Sequence, residues 1–270
     1  MTATAVTGST VRTAGPRWAL ANTATVTGRN LHRLVRVPTL IAFATAQPVM
    51  FVLLFTYAFG GAIHPPGVAH YIDYLLPGLV VLAIAFGASQ TGVAIAEDLA
   101  SGMIDRFRAL PMARSAVLAG RALADAVRNL FVLALMTGLA AAIGFRFHAG
   151  AAAALAATGL ALAIGLAFSW INALLGLLVR DAESAGLAGL LPVIGLIFTS
   201  STFVPIATMP GWLQTFARAN PVTVTVDALR ALCLGGPTAI PVLRALIWIG
   251  GLLAVTIPAA VTCYRRTATA

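Results

Sequence analysis

Six apolar stretches, at residues 38–59, 74–95, 117–144, 151–179, 186–205 and 242–263, occupy most of this chain. A hydrocarbon core about 30 Å thick takes roughly 20 residues of helix to cross, and a helix satisfies its own backbone donors and acceptors without water. Each stretch meets that length. Charged residues make up only 9% of the chain and hydrophobic residues 60%, whereas soluble domains carry about a quarter charged residues to face water. The sequence therefore predicts an all-α integral membrane protein with six transmembrane helices, of which the third and fourth, being longest, tilt or project from the bilayer. Pro48, Pro192 and Pro258 fall inside the first, fifth and sixth spans, where each is expected to kink its helix. Phe145-Arg146-Phe147-His148 separates the third and fourth spans as a tight turn at an interface.

Ahead of the first span, residues 1–16 are small and weakly patterned and read as a flexible tail. Residues 17–270 read as a single transmembrane domain. Between Arg17 and Val37 the segment is too polar to span, and an interfacial helix fits it, with Trp18 at headgroup depth and Arg29, Arg33 and Arg36 toward phosphates. No signal peptide is evident, since the first long apolar stretch begins near Pro38 and is expected to be retained.

All 17 basic residues are arginine, which suits a GC-rich bacterial genome and a place in the bacterial cell (inner) membrane. They are not gathered into one basic domain, so the net charge of +9 does not point to nucleic acid. Six spans put thirteen of them on one side: Arg12, Arg17, Arg29, Arg33, Arg36, Arg106, Arg108, Arg114, Arg121, Arg128, Arg180, Arg265 and Arg266. Arg146, Arg218, Arg230 and Arg244 lie on the other. By the positive-inside rule both termini are cytoplasmic. Cys233 and Cys263 then sit about a membrane thickness apart, too far for a disulfide.

Two connections carry more pattern than a linker needs. After the second span, Leu99, Met103, Phe107 and Leu110 share one helical face, Asp98, Asp105, Arg106 and Arg108 take the rest, and Pro111 closes the element. Such an amphipathic helix at the inner surface serves either as a docking element or as a plain interfacial connector. Glu97 and Asp98 would cap its start, pair with a partner's arginines, or both. Before the sixth span, Met209-Pro210-Gly211-Trp212-Leu213 opens a short helix, Asn220-Pro221 breaks it, and a second runs to Leu232 ahead of Gly235-Gly236-Pro237. Both short helices are apolar enough to dip into the outer leaflet when covered by protein.

These two connections carry a resemblance. Glu97…Gly102…Leu110-Pro111…Gly120-Arg121-Ala122-Leu123 resembles the cytoplasmic signature of type-2 ABC exporter permeases. Phe203-Val204-Pro205…Met209-Pro210-Gly211-Trp212-Leu213…Asn220-Pro221…Asp227-Ala228-Leu229-Arg230 is similar to their outer signature, and within the family the daunorubicin-resistance-type permeases are most alike. The resemblance implies a permease subunit that pairs with a second permease copy or a sibling and binds two copies of a separate ATP-binding subunit. ATP and magnesium would sit on that partner, and this chain would bind no cofactor or metal. Residues 98–110 would form the coupling helix, so Glu97, Asp98, Gly102, Met103, Arg106, Phe107, Leu110 and Pro111 would contact the ATPase, braced by 17–36. Residues 205–235 would form outer re-entrant helices carrying Pro210, Trp212, Asn220, Pro221 and Arg230. The cargo implied is a hydrophobic or amphiphilic drug, antibiotic, lipid or glycolipid moved out of the cell. The rival reading is a secondary transporter or a non-transporting membrane scaffold.

The residues independently divide the labour. A chain without lysine has no P-loop lysine, and no G-x-x-x-x-G-K-[ST] occurs, so ATP is not bound here through that motif. Neither H-E-x-x-H nor G-x-S-x-G is present, and His32, His64, His70 and His148 form no ligand cluster. Among the polar residues in the spans, Gln47, Gln90, Ser169 and Asn172 either line a substrate path or bond between helices. No acid or base is expected at mid-membrane depth, which argues against a proton-driven relay, and no acid–base pair is expected in a span, which leaves an intramembrane enzyme little support. Gly159, Gly165 and Gly176 are expected to allow close helix packing or to form a dimer seam.

Overall fold

A computed structural model describes residues 27–28, 38–61, 63, 68, 70–102, 114–179 and 181–267. The regular structure among the described residues is all helical: α1 (Pro38–Phe59), α2 (Tyr71–Ala100), α3 (Arg114–Ile143), α4 (Gly150–Val179), α5 (Ala182–Phe198), a 3-10 turn (Ile206–Thr208), α6 (Gly211–Ala219), α7 (Pro221–Leu234) and α8 (Ala239–Thr267). Among the described residues, four stretches are long and apolar enough to cross a bilayer: Tyr71–Ala100, Gly120–Ile143, Gly150–Val179 and Ala239–Tyr264. The other two expected spans appear as shorter apolar helices, Thr45–Phe59 within α1 and Ala182–Phe198. The tail 1–16 and coupling residues Met103, Arg106, Phe107, Leu110 and Pro111 lie outside the described residues. So does most of the segment 17–36; within it Thr27 is buried and donates to the Gly120 carbonyl of α3 at 3.0 Å.

Helix α2 is the centre of the bundle and touches α1, α3, α4, α5 and α7. Every residue from Tyr71 to Leu82 is buried, the pattern of a helix apolar on all sides. Where α2 meets α4 the backbones approach directly, because a Cβ on Gly176 would lie 2.3 Å from the Gly92 carbonyl oxygen. Gly165 admits the Asn129 amide in the same way, but Gly159 faces open space, so it contributes no close packing within this chain. Helix α8 packs on α4 and α7 and leaves Ile240, Leu243, Leu246, Ile247 and Val255 exposed. In a bilayer those side chains meet lipid or another protein.

Three boundaries differ from the sequence expectation. α2 continues through Ala100, so Glu97 and Asp98 lie in its last turn and do not cap a following helix. Carboxylates there face the negative end of the helix dipole, and Asp98 is compensated by Arg121 at 3.0 Å. The chain then leaves the helix at Gly102, whose φ of +67° suits glycine. At the other end of the bundle α5 stops at Phe198 instead of 205. There Thr199 and Ser200 turn their hydroxyls back onto the Gly195 and Ile197 carbonyls, at 2.7 and 2.6 Å, competing with further helix. Third, α3 begins at Arg114 instead of 117, so Arg114, Arg121 and Arg128 all lie within a helix. The prolines Pro48, Pro192 and Pro258 are inside helices as expected, and Pro77 joins them in α2.

Candidate functional site

At one end of the bundle, the turn between α5 and α6 is built around Arg230 of α7. Its Nε donates to the Tyr74 carbonyl at 2.9 Å. Nη1 reaches Ser201 Oγ at 3.0 Å and Asp227 Oδ1 at 3.2 Å, and Nη2 reaches the Ser201 and Thr202 carbonyls at 2.6 and 3.1 Å. The guanidinium also lies over the Tyr74 ring, 3.6 Å from its centroid. Tyr74 and Tyr71 of α2 complete the clamp by donating to the Ser201 and Phe203 carbonyls. An arginine presents five donors in a fixed fork, and this one satisfies backbone that has left the helix inside an apolar bundle.

Asn220 acts at the joint between α6 and α7. Its Oδ1 caps the Val222 amide at 2.9 Å, Pro221 takes the first helical position, and its Nδ2 donates to the Leu196 carbonyl at 2.7 Å. One side chain thus starts α7 and holds the end of α5. Pro210 precedes α6 and gives its carbonyl to Leu213 and Gln214. Trp212, by contrast, is 76% exposed. Of the residues singled out there, Asn220 holds the end of α5, Arg230 holds the turn that follows it, and Trp212 is exposed.

Along the α2–α3 contact runs a ladder of polar groups. Asp98 pairs with Arg121, Thr91 donates to Asp125, and Arg128 lies 3.7 Å from Asp125 with its guanidinium against Gly87. A Cβ on Gly87 would sit 2.6 Å from Arg128 Nη2, so glycine makes room for the cation. Asp125 and Arg128 are each only 13% exposed and lie within the apolar stretch Gly120–Ile143. This corrects the expectation that no acid–base pair occupies a span. Opposite charges three residues apart in an otherwise apolar run were the available signal, and counting arginines by connection hid it.

The four residues read as a possible path are not gathered into one. Ser169 and Asn172 are buried in α4; Asn172 Nδ2 donates to the Phe168 carbonyl at 2.9 Å, and its Oδ1 lies where a Cβ on Gly189 of α5 would stand. Gln90 is exposed on α2 and Gln47 half-buried on α1. Asn172 Oδ1, Ser169 Oγ and Asn129 Nδ2 are buried without a hydrogen-bond partner. At the start of α5, Asp181 accepts from the Ser184 amide at 2.8 Å. That bond holds its carboxyl below its ordinary value of 3.8.

Charged ladders between apolar helices, a glycine-tight crossing and paired short helices at one end define a multi-pass helical membrane protein whose polar groups fix one helix arrangement. The chain belongs to the ABC-2 type transporter family, which matches residues 21–234. It is 33% identical over 261 residues to the daunorubicin resistance ABC transporter permease protein DrrB1 of Streptomyces coeruleorubidus, covering 95% of this chain and 92% of that one. It is 29% identical over 256 residues to the probable doxorubicin resistance ABC transporter permease protein DrrC of Mycobacterium tuberculosis, covering 93% and 90%. A third relative, the doxorubicin resistance permease DrrB of the same species, is 30% identical over 229 residues, 76% of each chain. The family resemblance read from the two connections is the one these matches identify.

Proposed function

We propose that this chain is the transmembrane permease subunit of an ATP-driven exporter that moves a hydrophobic or amphiphilic compound, drug, antibiotic or lipid-like, out of the cell. A separate subunit, two copies per complex, hydrolyses ATP with its magnesium, and this chain contributes no catalysis. The observation that carries the reading is α2 itself: one continuous helix joins the Arg230 clamp to Asp98 and the connection that follows. A displacement imposed at 97–111 therefore has a direct mechanical route to the opposite end. In this reading the chain crosses six times with both termini cytoplasmic. α1, whose 22 residues extend about 33 Å, and α5 supply the two shorter crossings, and α6–α7 form the outer re-entrant pair. A second permease completes the path.

A secondary transporter is the second reading, favoured by the Asp125 carboxylate inside a span. Its pairing with Thr91 and Arg128 gives it a structural use that needs no proton movement. The two readings separate in inside-out vesicles carrying this chain with a P-loop ATPase, loaded with daunorubicin or doxorubicin. ATP-dependent uptake that vanadate stops and a protonophore leaves intact is expected. Uptake that follows the proton gradient without ATP would overturn the exporter reading.

A further inference from the structure

The end of the bundle that carries the Arg230 clamp also carries a cleft with no assigned occupant. Arg218, in the last turn of α6, and Arg244, near the start of α8, line an open cavity of about 220 Å³ together with Val224, Ile247 and Trp248. Arg218 bonds to Gln214 Oε1 at 3.4 Å, and neither arginine is in an ion pair with a described carboxylate. At this end Asp227 is taken by Arg230, and Asp73 is buried in α2. Two cations thus share one cleft without a counter-ion among the described residues.

We propose that this cleft binds the phosphate headgroup of an anionic phospholipid in the adjacent leaflet. Guanidinium forks match phosphate oxygens in geometry and charge. The apolar side of the cleft, Ile247 and Trp248, runs on into exposed Leu243, Leu246 and Val255 along α8, a surface suited to acyl chains. Trp212 and Phe216, both exposed and one turn apart on α6, are the side chains expected at headgroup depth. A soluble anion uses the arginines alone, whereas a phospholipid uses the arginines and the apolar continuation. Bound there, it ties α6 to α8, which otherwise meet through α7.

The test is native mass spectrometry of the full chain released from detergent after mixing with phosphatidylglycerol, phosphatidylcholine or inorganic phosphate. Retention of phosphatidylglycerol over phosphatidylcholine is expected. R218Q/R244Q is expected to weaken that retention about tenfold, the order of one or two lost charge-assisted bonds. R146Q, at the same end but bonded to the Ala141 and Phe145 carbonyls, should leave retention unchanged. If the double variant does not elute like wild type, R218Q and R244Q are read singly, with a smaller loss expected from each. Equal retention in the variants and wild type would overturn the proposal. Displacement of the lipid by inorganic phosphate would make this a free-anion site, and loss of a dimer without loss of lipid would make it a contact between copies; either result would overturn it too.

Discussion

Replacing Arg230 with alanine removes a side chain that bonds at once to α2, the α5–α6 turn and α7. The loss can be sized from its partners. The Ser201 carbonyl keeps the Tyr74 hydroxyl as a donor, so it is not orphaned. The Thr202 carbonyl loses its donor, and a buried unsatisfied group costs about 1–3 kcal/mol. Asp227 loses its cation but is 47% exposed, so water recovers part of that and the full 3–5 kcal/mol of a broken buried pair does not apply. The stacking on Tyr74 adds about 1 kcal/mol. R230A should therefore destabilise by about 3 kcal/mol, near the lower end for a buried pair. R230K keeps the charge but lacks the fork, so it should recover less than half. D227N should cost least, because Arg230 retains its carbonyl acceptors. Thermal unfolding in detergent, followed by loss of monodisperse elution, ranks the three variants, and limited proteolysis should find the 199–210 turn newly cleavable in R230A. An R230K as stable as wild type, or a D227N as damaging as R230A, would show that charge pairing and not the backbone clamp is what matters.

Other perturbations follow from the same contacts. G176A forces a Cβ to 2.3 Å from the Gly92 carbonyl oxygen, and neither backbone can yield cheaply. It should cost about 1–3 kcal/mol, while G159A, with nothing within 4 Å, should be neutral or slightly stabilising when both are melted side by side. For the Asp98–Arg121 pair, D98R or R121D alone should lower both stability and ATP-driven uptake, and the double exchange should recover most of each; no recovery would mean the two residues act separately. Asp181 is depressed below 3.8 in the folded state, so its cap is fully present above that pH and is lost as pH falls through the lower folded value. Hydrogen exchange in the first turn of α5, corrected for intrinsic rates, should open on acidification in the wild type and lose that dependence in D181N. E97Q, at equal membrane abundance, should reduce coupled uptake more than it reduces expression, and unchanged uptake would refute a role for Glu97 in coupling.

Much of this architecture was legible because lipid imposes long apolar runs and backbone breakers mark their ends. The range 38–59 is α1 as observed, and Asn220-Pro221 and Gly235-Gly236 mark the ends of α6 and α7. What sequence could not resolve were places where a polar group satisfies backbone from another element. Residues 203–205 return to apolar character after Thr199-Ser200-Ser201-Thr202, and the chain turns there with Tyr71, Tyr74 and Arg230, remote in sequence, supplying donors to its carbonyls. Arg121 and Arg128 look like connection charges until Asp98, Thr91 and Asp125 are seen across the α2–α3 contact. Of the candidate site residues, Arg230 and Asn220 came from the family signature, but their partners Tyr74, Ser201 and Leu196 carry no local pattern that would have singled them out.

The distribution of these polar contacts constrains how the proposed coupling can work. A helix buried on all sides over its first three turns cannot rotate alone without breaking packing on five neighbours. α2 is further tied to α3 at Asp98–Arg121 and at Thr91–Asp125, contacts seven residues apart on α2, or about 10 Å along the axis. Two polar attachments at that spacing resist sliding as well as rotation, so α2 and α3 should move as one lever. The Arg230 clamp at the far end then hands that motion to α7 and to the turn after α5, the elements it bonds. If so, breaking the Asp98–Arg121 attachment with R121D and the clamp with R230K should each uncouple nucleotide hydrolysis from uptake while ATPase activity persists. Combined, they should do no more than the stronger single variant, because a lever cut at one point transmits nothing to be lost at the other.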